Sequence, residues 1–267
     1  MGEPTLQAQI DAANAYEALF VPALFGQWAA KVADAVQIQP GQRVLDVACG
    51  TGILAREVTS RMGSSGRVAG IDPSPGMVAV ANQLAPTVEW REAVAESLPF
   101  PDESFDAVVS QFGLMFFTDR RQALREMLRV LAPGGRLAIA VWDSLENIPA
   151  YASEVALLEQ TAGRRAADAL RAPFALGNQK DLATLFSEAG VASAEITTHQ
   201  GAARFPSIRT MVEADLRGWL PVMGVLLTED QIGRILQEAE HALSSYVTAN
   251  GRVMFHLSAH LVTAKKL

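Results

Sequence analysis

The chain has 267 residues, 49% of them hydrophobic, with 22 basic against 29 acidic residues and a net charge of −7. That length and apolar content suit one α/β domain with insertions, and a single cysteine excludes an intrachain disulfide framework. One cysteine with four scattered histidines also gives no metal-ligand spacing, and without a Lys/Arg run a nucleic-acid partner is not expected.

The opening MGEPTLQAQIDAANAYE is acidic and has no basic-then-apolar pattern, so it does not read as a signal peptide. No apolar stretch approaches the length of a membrane span. A cytoplasmic location without a membrane partner is therefore expected. Residues 5–38 read as helical, with Leu24, Trp28, Val32 and Val36 on one stripe and Pro22 starting a second helix. Pro40-Gly41 makes a turn, and from Arg43 the period changes. Arg43–Ala48 reads as a strand ending in a glycine-rich loop. Then come a helix over Ile53–Met62, a strand over Val68–Ile71 and a helix over Ser74–Leu84 capped by Ser74. Strands at Val88–Glu92 and Phe105–Gln111, a helix over Arg120–Leu131 and a strand over Arg136–Trp142 follow. This alternation predicts a parallel, doubly wound sheet. Beyond Asp143 the reading is a helix over Leu145–Thr161, a short helix over Lys180–Ala189 closed by Gly190, and a strand over Val191–Thr198. Residues 207–247 read as mostly helical, broken near Pro221 and Gly224, and Val253–Ala264 as the last strand.

The chemical signal lies in Val44-Leu-Asp-Val-Ala-Cys-Gly-Thr-Gly-Ile-Leu54. A glycine-rich turn between a first strand and a helix lets the backbone approach a ligand, and Asp72, at the end of the second strand, can accept both hydroxyls of a ribose. Gly50 to Ala55 also fits the turn of dinucleotide-binding folds. Asp46 discriminates, because a carboxylate beside the loop repels a pyrophosphate but suits the cationic groups of S-adenosylmethionine.

These residues resemble the class I S-adenosylmethionine-dependent methyltransferases, in the small-molecule group that includes the quinone-biosynthesis enzymes. Asp46 to Gly52 is similar to the family's D-x-G-x-G-x-G, with Ala48 in place of the first glycine. Ile71-Asp-Pro-Ser-Pro-Gly-Met77 resembles the segment whose acid holds the ribose and whose methionine lies near the adenine. Ala95 to Asp106 resembles the run from the adenine pocket to the fourth strand, and Arg129 to Gly135 the turn into the fifth. The resemblance covers residues 43–142. It implies S-adenosylmethionine as cofactor, held by Asp46, Ala48, Cys49, Gly50, Thr51, Gly52, Asp72, Pro73, Met77, Ala95, Glu96, Gln111 and Phe112. Val94 stands where the family often has an aspartate, leaving the adenine amino group to Glu96 or to the Ala95 backbone.

The expected fold is a Rossmann-like, mostly parallel, seven-stranded sheet in one domain over residues 1–267. Residues 1–40 form a helical cap, 41–143 the cofactor core, 144–204 its completion, 205–250 a helical lid and 251–267 the final strand. The resemblance implies that this last strand is antiparallel and lies beside the fifth. Tyr16, Phe20, Trp142 and Trp219 are candidate contacts for a small, apolar acceptor, with core packing as the competing reading. His256 is a candidate base or else a hydrogen-bonded core residue, while His260 points into the scaffold. Cys49 reads as a small residue beside the ligand, not a nucleophile. A nicotinamide-dependent oxidoreductase and a non-catalytic cofactor-binding protein of the same fold stay open.

Overall fold

The change of period at Arg43 marks the start of the sheet in the computed structural model, which describes residues 5–191 and 193–267. Upstream, α1 (Leu6–Phe20) passes through a π-helical turn (Val21–Phe25) into α2 (Gly26–Ala35). Pro22 therefore does not start a separate helix. It sits in a wider turn closed by Gly26 N–H on the Val21 carbonyl, which accommodates a residue without an amide proton and leaves the run continuous.

Strands β1 (Arg43–Val47), β2 (Arg67–Asp72), β3 (Glu89–Glu92), β4 (Phe105–Gln111) and β5 (Leu131–Trp142) alternate with α3 (Ile53–Met62), α4 (Pro75–Leu84) and α5 (Arg120–Val130). Ser74 caps α4 by accepting from Met77 N–H, and Asp119 caps α5 by accepting from Gln122 N–H. These local signals fix the helix starts. β5 begins earlier than the sequence suggests. Ala132–Gly135 is drawn into the strand by a register slip between Phe105, opposite Leu131, and Ala107, opposite Arg136.

The remaining elements are α6 (Pro149–Ala162), α7 (Arg164–Arg171), α8 (Gln179–Glu188), β6 (Glu195–Phe205), α9 (Ile208–Ala214), α10 (Leu220–Val222), α11 (Glu229–Ala242) and β7 (Val253–Lys265). Helix α7 was not expected, since its alanine-rich run follows Gly163 with no marked cap. β6 begins later and ends seven residues beyond the expected Thr198, at Phe205. Among the described residues, seven strands form one sheet in the order β3-β2-β1-β4-β5-β7-β6, flanked by helices. The pairs β1–β2, β1–β4, β2–β3 and β4–β5 are parallel. β7 runs antiparallel to β5, because Gly134 bonds Lys266 while Asp143 bonds Ser258. No described helix is long and apolar enough to cross a membrane.

By internal contacts the chain divides into two compact units. One runs through Val141 and takes in Asn178–His199 and His260–Leu267; the other comprises Trp142–Gly177 and Gln200–Ala259. The cofactor loop, α1, α2 and the carboxyl ends of β1, β2 and β4 all lie in the first.

Candidate cofactor site

β1 delivers Asp46 and β2 delivers Asp72 to the same edge of the sheet, with Asp46 in register with Gly70. The loop after β1 turns through three left-handed residues, Ala48 (φ 58°), Gly50 (φ 54°) and Gly52 (φ 85°). The two glycines serve different ends. A Cβ on Gly52 would lie 2.5 Å from the Trp90 ring, so this glycine makes room for packing. A Cβ on Gly50 would meet nothing within 4 Å, which is the open cradle a ligand needs. Ala48 keeps a side chain in a conformation that L-residues avoid, and its Cβ lies where Gly113 has none. A Cβ added to Gly113 would come within 2.5 Å of it.

Asp46 is 1% exposed. Its Oδ2 accepts from Ala55 N–H at 3.0 Å, while its Oδ1 is buried with no hydrogen-bond partner among the described residues. Burial pushes its pKa well above the carboxylate range, the Ala55 amide pulls it down, and the Asp72 charge adds to the rise. A cation beside Oδ1 would reverse that penalty. Asp72 accepts from Gly50 N–H (Oδ2, 2.9 Å) and from Ser74 N–H (Oδ1, 2.9 Å), so one carboxylate ties both loops. Its pKa is raised by burial against the pull of those two amides. The Cys49 thiol is pushed up by burial and then by Asp46 and Asp72, so it stays protonated and is no nucleophile.

At the end of β4, Gln111 donates from Nε2 to the Phe25 carbonyl (3.2 Å), and its Oε1, like the Ser110 hydroxyl, is buried with no hydrogen-bond partner among the described residues. Phe112 has φ 57° and turns its ring onto Phe25 (5.7 Å between centroids) and the edge of Trp28 (5.8 Å). Tyr16 stacks on Phe25 at 5.4 Å and meets Phe20 at 5.9 Å. Trp28 is 2% exposed and belongs to the core, whereas Tyr16 and Phe20 are half-buried. Burial and the charges of Asp72 and Glu17 push the Tyr16 phenol far up, so it keeps its proton. Met77 is half-buried, Pro73 exposed and Ala95 buried. Glu96 Oε1 accepts from Thr118 and Asp119 N–H (2.8 and 3.2 Å), shaping the turn into α5.

Sequence reasoning missed Glu17. It accepts from Thr51 Oγ1 (2.5 Å) and pairs with Arg56 (2.6 Å), and Arg56 also donates to the Thr51 carbonyl (2.8 Å). No motif marks that triangle, because its carboxylate comes from a helix 34 residues upstream.

In the second unit, Trp142 is buried, and Asp143 accepts from Ser258 Oγ (2.7 Å), Ser144 N–H and Asn147 Nδ2. The Trp219 indole N–H donates to the Ala169 carbonyl (2.8 Å), which anchors it to α7. His256 is exposed, which corrects the expectation of a core histidine: the alternation of β7 sends Phe255 and Leu257 inward instead. His260 belongs to the first unit; it is 2% exposed, with Nδ1 2.9 Å from the Thr198 hydroxyl, as expected of a scaffold residue. Glu154 and Asp215 are buried. Both Glu154 oxygens and Asp215 Oδ2 have no hydrogen-bond partner among the described residues. Burial pushes Asp215 up to about 8, and raises Glu154 well above its ordinary value with help from the Asp215 charge.

This turn, with an acid before it and an acid at the end of the next strand, has known relatives. Residues 45–139 match the family described as a methyltransferase domain. The ubiquinone/menaquinone biosynthesis C-methyltransferase of Hahella chejuensis is 45% identical over 126 residues, 45% of this chain and 51% of that protein.

Residues 45–139 form a methyltransferase domain.

This methyltransferase domain resembles the class I, S-adenosylmethionine-dependent type and, within it, the quinone-biosynthesis enzymes. The 2-phytyl-1,4-naphtoquinone methyltransferase of Thermosynechococcus vestitus is 39% identical over 115 residues, 42% of this chain and 51% of that protein. The chain spans about half the length of the curated relatives it matches. Solved structures extend the likeness in fold. The YcgJ protein of Bacillus subtilis superposes with a TM-score of 0.59 at 21% identity, over 90% of this chain and 98% of that one. Phosphoethanolamine N-methyltransferase 2 of Haemonchus contortus gives 0.59 at 18% identity, over 99% and 60%. The residues present fit S-adenosylmethionine: Asp46 has a buried carboxylate oxygen with no partner among the described residues, which an ammonium would suit, Asp72 brings a second buried carboxylate to the end of β2, and Gly50 faces open space.

Proposed function

We propose that the protein transfers the methyl group of S-adenosylmethionine to a small, apolar acceptor. The observation that carries this reading is the pair of buried carboxylates, Asp46 and Asp72, flanking the open Gly50, with Asp46 Oδ1 lacking a partner among the described residues. In this assignment Asp46 takes the ammonium and Asp72 the ribose hydroxyls. Ala48, Cys49, Gly50, Thr51 and Gly52 supply backbone. Pro73, Met77, Ala95 and Glu96 flank the adenine, and Gln111 and Phe112 border the reactive end. The relatives' names support a quinone-like aromatic acceptor. Acceptor choice is assigned outside the matched domain, to Tyr16 and Phe20 before it in sequence and to Trp142 and Trp219 after it. A cytoplasmic location accords with the unpaired Cys49 thiol.

The bound cofactor supplies an electrophilic methyl on a sulfonium, whose charge is lost on transfer, so a dry site favours the reaction. Tyr16, Phe25 and Phe112 form an apolar wall that excludes water. The Tyr16 phenol, held protonated, does not act as a base. Fixing two reactants in line supplies up to about 7–11 kcal/mol in favourable cases. His256, exposed on β7, is not needed for that.

Calorimetry with S-adenosylmethionine and with NAD tests the cofactor. Binding of NAD alone would replace this reading with the nicotinamide-dependent oxidoreductase, which the Asp46 carboxylate disfavours. Mass spectrometry of a panel of quinols, phenols and amines, watching for the gain of one methyl, tests the reaction. Cofactor binding with every acceptor unmodified would favour a non-catalytic binding protein.

A further inference from the structure

The cofactor turn is built from residues that do little to fix themselves. Ala48, Gly50 and Gly52 are left-handed, Gly50 touches nothing in its Cβ direction, and the one longer side chain between the glycines is Thr51. Both polar groups of Thr51 outside the amide are held from elsewhere. Its hydroxyl donates to Glu17 Oε2 and its carbonyl accepts from Arg56 Nη1, and Glu17 Oε1 closes the triangle on Arg56 Nη2. Thr51 is 1% exposed, and the Glu17 and Arg56 side chains are each 23% exposed, so the triangle is shielded on most sides. Glu17 belongs to α1, outside residues 45–139. That helix also rests on the element after Asp72: a Cβ on Gly76 would lie 2.5 Å from the Gln9 backbone. One helix is thus fixed to the turns that follow both site carboxylates.

We propose that Glu17 is a positioning residue. Through Thr51 and Arg56 it sets the cofactor turn in its binding conformation, and it couples the order of α1 to cofactor affinity. The inference rests on the proposed cofactor reading, and the experiment keeps the two apart. Wild type, Glu17→Ala and Glu17→Gln are compared in three measurements: amide hydrogen exchange of the ligand-free proteins, Kd for S-adenosylhomocysteine, and thermal melting.

Glu17→Ala removes both contacts, and exchange should rise together in residues 6–20 and 48–56. Its Kd should rise at least tenfold. Glu17→Gln keeps an oxygen acceptor for Thr51 and loses the ion pair, so it should rescue part of the effect, leaving a rise of about threefold. In a cycle with Thr51→Ala, the two losses in affinity should be non-additive. A folded Glu17→Ala with unchanged exchange over 48–56 overturns the clamp. So does unchanged affinity, or a cycle that adds. Should the alanine variant fail to fold, Glu17→Gln with wild-type exchange and affinity does the same. Wild type that binds neither S-adenosylmethionine nor S-adenosylhomocysteine defeats the cofactor reading instead, and the exchange data still decide the clamp.

Discussion

Ala48 and Gly113 form a compensating pair, and a double-mutant cycle on them tests the geometry of the loop. Ala48 adopts φ 58°, where an L-residue is strained by about 1–2 kcal/mol. Replacing it with glycine removes the strain but raises the conformational entropy of the unfolded chain, worth about 0.5–1 kcal/mol. Ala48→Gly should therefore be neutral or stabilising by up to about 1.5 kcal/mol. Gly113→Ala acts in the opposite sense. Its new Cβ would lie 2.5 Å from the Ala48 Cβ and 3.2 Å from Ser110 Oγ, and a methyl on a folded-in loop cannot swing away. Relieving that overlap should destabilise by about 1–3 kcal/mol. In the double variant the shorter contact is gone, and the alanine stiffens the unfolded chain by about 0.4–1 kcal/mol. The two changes should thus be coupled by about 2 kcal/mol in favour of the double variant, well above the scatter of independent sites. Urea denaturation of the four proteins, with equal slopes, measures the cycle. Additivity within about 0.5 kcal/mol would refute the reasoning.

Gly52→Ala should lower stability and perturb Trp90 fluorescence, because its Cβ enters the indole ring, whereas Gly50→Val should lose cofactor binding with a smaller drop in melting temperature; equal melting temperatures for the two would contradict the division of labour. Asp215 holds a proton in the folded state up to about pH 8 but releases it near 3.8 when unfolded, so the native state binds the extra proton between those values and stability falls as pH rises through them. Asp215→Asn should flatten that fall and raise the melting temperature at pH 8 relative to wild type, and an unchanged pH slope would show that the carboxyl is not protonated. His256→Gln should turn over a identified acceptor at the wild-type rate with the same pH profile, since the ring is exposed; a tenfold loss in a stably folded variant would make His256 the base.

The stretch from Arg43 to Trp142 was legible because its signals are local. Strand β4 and helix α3 begin and end where periodicity puts them, and Ser74 caps α4 as its position before Pro75 suggests. Asp46, Gly50 and Asp72 could be singled out because the chemistry of a turn between strand and helix depends on near neighbours. The chain after Asp143 was less legible. β6 continues to Phe205 and α7 forms on a short alanine-rich run, both supported by partners distant in sequence.

By itself, then, the sequence determined the alternating core, the cofactor turn and its two acids, since each rests on residue type and spacing within a few positions. Only the tertiary structure decided which glycine faces open space and which faces Trp90, that Ala48 is matched by Gly113, and that Glu17 holds Thr51. It alone put Glu154 and Asp215 in the interior, with carboxylate oxygens that lack a hydrogen-bond partner among the described residues, and His256 on the surface. Each of these is a contact or a burial across tens of residues, set by how elements pack, and packing leaves no periodic trace along the chain.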